Sequence, residues 1–246
     1  MTLTNDNKLR DEIRAFVYLL GTFRDEDLDI YNALAPGYDI FARSWDEIFA
    51  EPALRRMFEI LKERVVPGGV VLDAGCGTGR RIPRILETAE PSRLVALDIS
   101  DRMLEMAERK KGDKRVEYRH GDIRHLPFPD GTFDAVVSTW TVELTDDPHQ
   151  VVTEYLRVIK PGGIVLYTFV TLPTGGSKEI ADRLAGCLLD ETTVNPEPFA
   201  KERRPFHSCD FSVLENFREG ILSVVCLGKC CSVEPEHLPA REAAGS

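Results

Sequence analysis

The 246-residue sequence has no surplus of positive charge: 31 Lys and Arg stand against 41 Asp and Glu, a net charge of −10. Such a surface repels phosphate backbones and anionic lipids, so nucleic acid is not an expected partner. No apolar run approaches the roughly 18 residues that cross a bilayer, so no membrane span is expected. The stretch MTLTNDNKLRDE at the start is too polar for a secretory signal. Internal repeats and low-complexity segments are also missing. The six cysteines (Cys76, Cys187, Cys209, Cys226, Cys230 and Cys231) lack the spacing of a disulfide framework, which fits reduced thiols in a cytoplasmic protein. His120, His125, His149, His207 and His237 show no metal-ligand spacing, so no metal is expected.

What is present is ordinary globular composition, 43% apolar and 29% charged, in a chain long enough for one large domain or two small ones. From about residue 69, short β-branched runs end in Asp or Gly and alternate with amphipathic stretches. The runs are 69–73, 93–98, 115–119, 132–138 and 163–170, and helices are predicted at about 79–89, 101–111 and 147–160. This rhythm predicts five strands of an open, mostly parallel sheet with helices on both faces. Upstream, 7–20 and 43–64 read as amphipathic helices, the second broken at Pro52. Residues 190–205 read as a polar loop, 211–217 and 221–227 as a β-hairpin, and the stretch from Ser232 as a frayed tail.

The segment VVLDAGCGTG, residues 70–79, is the most informative. A strand ending at Asp73, a turn with Gly75, Gly77 and Gly79, and a helix thereafter would sit at the ligand crevice of an open parallel sheet. The spacing departs from the dinucleotide pattern Gly-x-Gly-x-x-Gly, because Arg80 occupies the third glycine position, and no Gly-Lys-Ser/Thr follows. Asp98 ends the second run, where a carboxylate can accept both hydroxyls of a ribose; a helix N-cap is its rival role. Asp122 follows the third run and can accept from an exocyclic amine while Ile99 and Ile123 pack on a flat ring. Asp73 can hold an ammonium group or brace the turn. Together these suit a ligand with an amine, a ribose and an adenine.

With LVALDIS, GDIRHLPFPDGTFDAVVS and LRVIKPGGIVLYTF in order behind it, this segment resembles the class I S-adenosylmethionine (SAM)-dependent methyltransferases. The likeness is to the subgroup of ubiquinone and menaquinone biosynthesis and covers about residues 30–170. It implies a Rossmann-like α/β fold: a seven-stranded, mostly parallel, doubly wound sheet with an antiparallel last strand, the hairpin supplying the last two strands. One domain is implied, with residues 1–64 as helical cap and lid, 65–231 as the SAM-binding sheet and 232–246 as flexible tail. The resemblance puts SAM against Tyr31 and Tyr38 of the lid and against Asp73, Gly75, Cys76, Gly77, Thr78 and Gly79. It adds Asp98, Ile99 and Met103, then Gly121, Asp122 and Ile123, and finally Ser138 and Thr139. A small-molecule acceptor would enter between Tyr31, Tyr38, Phe41 and Trp45 of the cap and Trp140, Glu143 and Thr171.

No catalytic residue is assigned, because SAM carries an activated methyl and alignment of the acceptor supplies most of the rate. His125 is the one weak base candidate. Arg80, Arg81 and Arg84, like Lys201 to Arg204, read as solvated basic faces. Three rivals stand beside the main expectation. One is a SAM-binding module without catalysis, and one is an NAD-dependent oxidoreductase. The third is a thiol or metalloid methyltransferase using Cys209, Cys226, Cys230 and Cys231, since soft thiolates suit such ions.

Overall fold

A computed structural model describes residues 28–110, 113–145, 147–174 and 211–229. The expected helix at 7–20, the loop at 190–205 and the tail lie outside the described residues. A long helix α1 (Leu28–Trp45) runs through a π-helical turn (Asp46–Ala50) into α2 (Glu51–Arg64). Then β1 (Val70–Ala74), α3 (Ile82–Ala89), β2 (Arg93–Asp98), α4 (Asp101–Arg109) and β3 (Val116–His120) alternate. They are followed by β4 (Phe133–Thr139), a 3-10 turn (Val142–Leu144), α5 (Pro148–Val158), β5 (Ile159–Thr174) and β6 (Phe211–Lys229).

Local chemistry sets most of these boundaries. Pro52 sits in the first turn of α2, where its missing N–H costs nothing. The Ser100 hydroxyl caps α4 by accepting from Met103 N at 3.1 Å, and Asp147 caps α5 by accepting from Gln150 N. Helix α1 extends further upstream than the expected 43–64, because Pro36 and Gly37 do not end it.

The sheet order is β3-β2-β1-β4-β5-β6, parallel except for β6 against β5. Strand alternation gives it two cores. Val71, Leu94, Ala96, Val137 and Leu166 face α2 and α3, whereas Leu72, Val95, Leu97, Val136 and Val165 face α5. The expected hairpin survives within β6. A Cβ at Gly228 would meet the Leu214 side chain at 2.7 Å, yet the roughly 14 intervening residues would span about 46 Å if extended in one direction. The segment therefore doubles back, its second half pairing with β5 (Leu166↔Cys226) and Glu215 in its first half pairing with Arg56 of α2 at 2.6 Å. Counting those halves separately gives the seven-stranded, Rossmann-like sheet with an antiparallel last strand. Strand order reverses between β1 and β4, which puts the ligand crevice beyond the carboxyl ends of β1, β2 and β4.

Candidate active site

At that crevice β1 delivers Asp73 and opens into the glycine turn. Gly75 and Cys76 donate their N–H groups to Leu97 O at 2.8 and 3.0 Å, tying the turn to the end of β2. Gly75 has φ +76°, and a Cβ there would overlap the Thr141 side chain at 2.4 Å. Gly77 has φ +54°, and a Cβ there would meet nothing within 4 Å. One glycine thus serves packing, whereas the other keeps an open face for a ligand.

Asp98 organises the surroundings. Its Oδ2 accepts from Gly77 N at 2.7 Å and its Oδ1 from Ser100 N at 2.9 Å. Burial pushes its carboxyl up, opposed by those backbone N–H groups. Ser100 itself does the helix capping, so the rival role for Asp98 is not needed. Ile99 adds a third backbone hydrogen bond, and the carboxylate still has acceptor capacity for a further donor.

Asp73 is the site's anomaly. It is fully buried, and neither carboxylate oxygen has a hydrogen-bond partner among the described residues. Burial raises its pKa to about 7, a rise that Arg81 opposes and Asp98 reinforces. An unpaired buried carboxylate is costly in the empty protein and suits a cationic ligand.

Asp122 presents the third carboxylate, clasped by Arg124, whose backbone N, Nε and Nη2 donate to it at 2.8–3.1 Å. Burial alone would raise its pKa, but the Arg124 bonds outweigh it and hold the carboxyl below the usual range.

Helix α1 is pinned across the glycine turn. Asp39 accepts from the Thr78 hydroxyl and pairs with Lys110 at 2.6 Å. Asp46 takes Arg80 at 2.6 Å and Arg81 through both oxygens at 2.8 and 2.6 Å, and Ser100 Oγ donates to Asn32 Oδ1 at 2.7 Å. The expectation of a solvated basic face therefore fails for Arg80 and Arg81, whose partner comes from α1's continuation. Arg84 packs 4.3 Å over the Phe58 ring. Burial pushes the Tyr38 hydroxyl up to about 12, which disqualifies it as a base at neutral pH.

The crevice is an open cleft lined on one side by carboxylates and on another by the segment after β4. Of the sequence candidates, Tyr31, Tyr38, Gly75, Gly77, Asp98, Ile99, Met103, Asp122, Ile123 and Thr139 line it. The other six do not. Asp73, Cys76 and Thr78 are buried. Gly79 and Gly121 are backbone close to side-chain packing, against Ile82 and Ala107 and against Leu97. Ser138 points the other way, its hydroxyl 3.0 Å from the Tyr155 hydroxyl inside the core. Ser100, Arg124, Trp140, Thr141, Leu144 and Thr145 line the cavity as well. Only Trp140 among these was singled out from the sequence, on the acceptor side; the others follow cofactor candidates or the end of β4, which was the available signal.

Two further expectations change. His125 is exposed and does not line the cavity. Cys226 is fully buried in the core, and burial raises its thiol to about 11, which does not favour a thiolate role for it. Cys187, Cys209, Cys230 and Cys231 lie outside the described residues. So do the side chains of Phe41, Glu143 and Thr171. Among the described residues, no helix is long and apolar enough to cross a membrane.

Comparison with known proteins gives the family and the fold. A family model described as "Methyltransferase domain" matches residues 72–167. The chain is 32% identical over 182 residues to a demethylmenaquinone methyltransferase of Renibacterium salmoninarum, covering 71% of this chain and 73% of that protein. It is 38% identical to a bifunctional biotin biosynthesis protein of Teredinibacter turnerae over 39% of this chain, but spans only 18% of that longer protein. Among solved structures, the complex of the Haloferax volcanii Trm112 methyltransferase activator with a methyltransferase aligns over 85% of this chain with a TM-score of 0.63 at 19% identity. The methyltransferase CalH in complex with S-adenosylhomocysteine (SAH) aligns over 72% of this chain and 56% of that one, with a TM-score of 0.55 at 20% identity. Both structural likenesses concern the fold.

Proposed function

The chain belongs to the class I SAM-dependent methyltransferases, and from that premise we propose that it methylates a small, flat and largely apolar acceptor of the quinol type, releasing SAH. Asp73 carries the proposal: it is a buried carboxylate without a partner, beneath a turn whose Gly77 faces open space. These residues fit SAM. Asp73 would balance its ammonium group from behind the turn, directly or through water, Asp98 would accept from the ribose hydroxyls, and Ile99, Met103 and Ile123 would flank the adenine beside Asp122. When bound, SAM supplies a methyl group made electrophilic by the adjoining sulfonium. The protein's contribution is position: the turn holds the ligand, α1 with Tyr31 and Tyr38 covers it, and Trp140, Thr141, Leu144 and Thr145 form the acceptor wall.

The quinol-type acceptor is supported by the demethylmenaquinone methyltransferase relative and by the aromatic side chains on the acceptor side. A small-molecule role also accords with the acidic surface, which disfavours nucleic acid.

The test is transfer of labelled methyl from SAM to a short-chain demethylmenaquinol, followed by mass spectrometry of the product and quantitation of SAH. Equimolar labelled quinol and SAH are expected. SAH binding without transfer to this acceptor would overturn the acceptor class, and failure to bind SAH would overturn the whole proposal.

A further inference from the structure

We infer that Trp140 selects the acceptor by donating its indole N–H to an oxygen of that molecule. The inference rests on the methyltransferase proposal and deepens it, because it names the chemical feature the acceptor must carry.

Trp140 follows β4 directly with φ +56°, a conformation that bulky residues adopt only where the surroundings enforce it. Two contacts enforce it here. Its backbone N–H donates to the buried Thr168 hydroxyl at 3.2 Å, and its ring meets Trp45 edge-on, with centroids 6.4 Å apart and planes at 81°. Trp45 is the last residue of α1, so the pair joins the covering helix to the cavity wall.

The donors on this wall are unequal. The Thr141 hydroxyl donates to Thr139 O at 3.0 Å and the Thr145 hydroxyl to Val142 O at 2.8 Å. A hydroxyl has one proton, so both are engaged within the protein. The Trp140 Nε1–H is shielded from water and has no acceptor among the described residues. No water-sized atom reaches it while the cavity is empty, so an entering molecule pairs with it only as the ring turns its N–H towards the cavity; an indole nitrogen donates but never accepts. An ammonium in that place would leave the N–H unmatched. A carbonyl, enol or phenol oxygen matches it.

The strained backbone and the unused donor thus coincide on one lining residue. A purely structural tryptophan needs neither feature.

The chain has only two tryptophans, Trp45 and Trp140, which makes the test direct. With SAH bound, 15N-indole labelling gives two N–H signals, and Trp45→Phe assigns the remaining one to Trp140. Titration with 1-tetralone, which carries a carbonyl, is compared with tetralin, the same skeleton without oxygen. Expected are a downfield shift of the Trp140 indole proton with 1-tetralone alone and binding of 1-tetralone about tenfold tighter than tetralin. Trp140→Phe keeps a ring but loses the N–H, so it should remove that preference while the SAH Kd stays within about twofold. Equal binding of the two probes, no binding of either, or an unshifted Trp140 signal overturns the inference. These results leave the methyltransferase proposal standing, since that fails only if SAH itself does not bind.

Discussion

The two sides of the cavity differ in how their polar groups are held. On one side stand Asp98 and Asp122, with Asp73 buried behind the lining, each at or just beyond the end of a strand, and Asp98 is gripped by backbone N–H groups of the turn and of α4. On the other side stand Thr139, Trp140, Thr141, Leu144 and Thr145, with the Thr141 and Thr145 hydroxyls turned onto neighbouring carbonyls and no charge among them. The first side is built for a cation with hydroxyls, whose chemistry is fixed. The second is built mainly of shape and neutral donors, and such a wall changes with a few loop residues while the fold stays the same.

The sharpest way to break this contrast is at Asp98. Asp98→Ala removes the carboxylate that holds the turn and the acceptor proposed for the ribose, so calorimetry should find SAH affinity reduced about 100-fold or more. A loss as small as that expected for a wall residue would erase the distinction between the two sides. Next come the paired glycines. Gly75→Ala drives a methyl into Thr141 at positive φ and should destabilise the protein by about 2–3 kcal/mol in denaturant unfolding, with little room for relief. Gly77→Ala meets no atom, so it should cost only about 1 kcal/mol of stability while weakening SAH binding. Equal effects of the two substitutions on stability would contradict the division of labour within the turn.

Asp73 gives a smaller, pH-dependent effect. Its folded pKa of about 7 lies above the ordinary 3.8, so the folded state holds this proton more tightly. Its contribution to stability is therefore fully present below about pH 4, is lost as pH rises towards 7 and is constant above that. SAH binding has the opposite trend, because the ammonium needs the ionised carboxylate. Below pH 7 affinity should fall by up to about tenfold per pH unit, and Asp73→Asn should flatten both profiles. The smallest effect belongs to Ser138→Ala, which breaks a core hydrogen bond with Tyr155 worth about 1 kcal/mol and should leave SAH affinity unchanged.

Much of the carboxylate side was legible in the sequence, because Asp73, Asp98 and Asp122 each follow a strand run and a turn that local chemistry defines. The errors have physical causes. Ser138 and Thr139 were both assigned to the cofactor, yet successive strand residues point to opposite faces, and Ser138 shares the face of Val136. Arg80 and Arg81 were read as solvated because their partner, Asp46, is about 35 residues upstream, and linear spacing does not reveal a pairing made by a helix folding back. Trp140 was marked by its aromatic character, but its left-handed backbone and its unpaired N–H are properties of the folded chain alone.

The most direct test of the account is a crystal structure with SAH bound. The account predicts the ribose hydroxyls on the Asp98 carboxylate, the adenine between Ile99 and Ile123 beside Asp122, and the ammonium over Gly77 towards Asp73. SAH bound elsewhere, or seated in the cavity without touching Asp98, would contradict it.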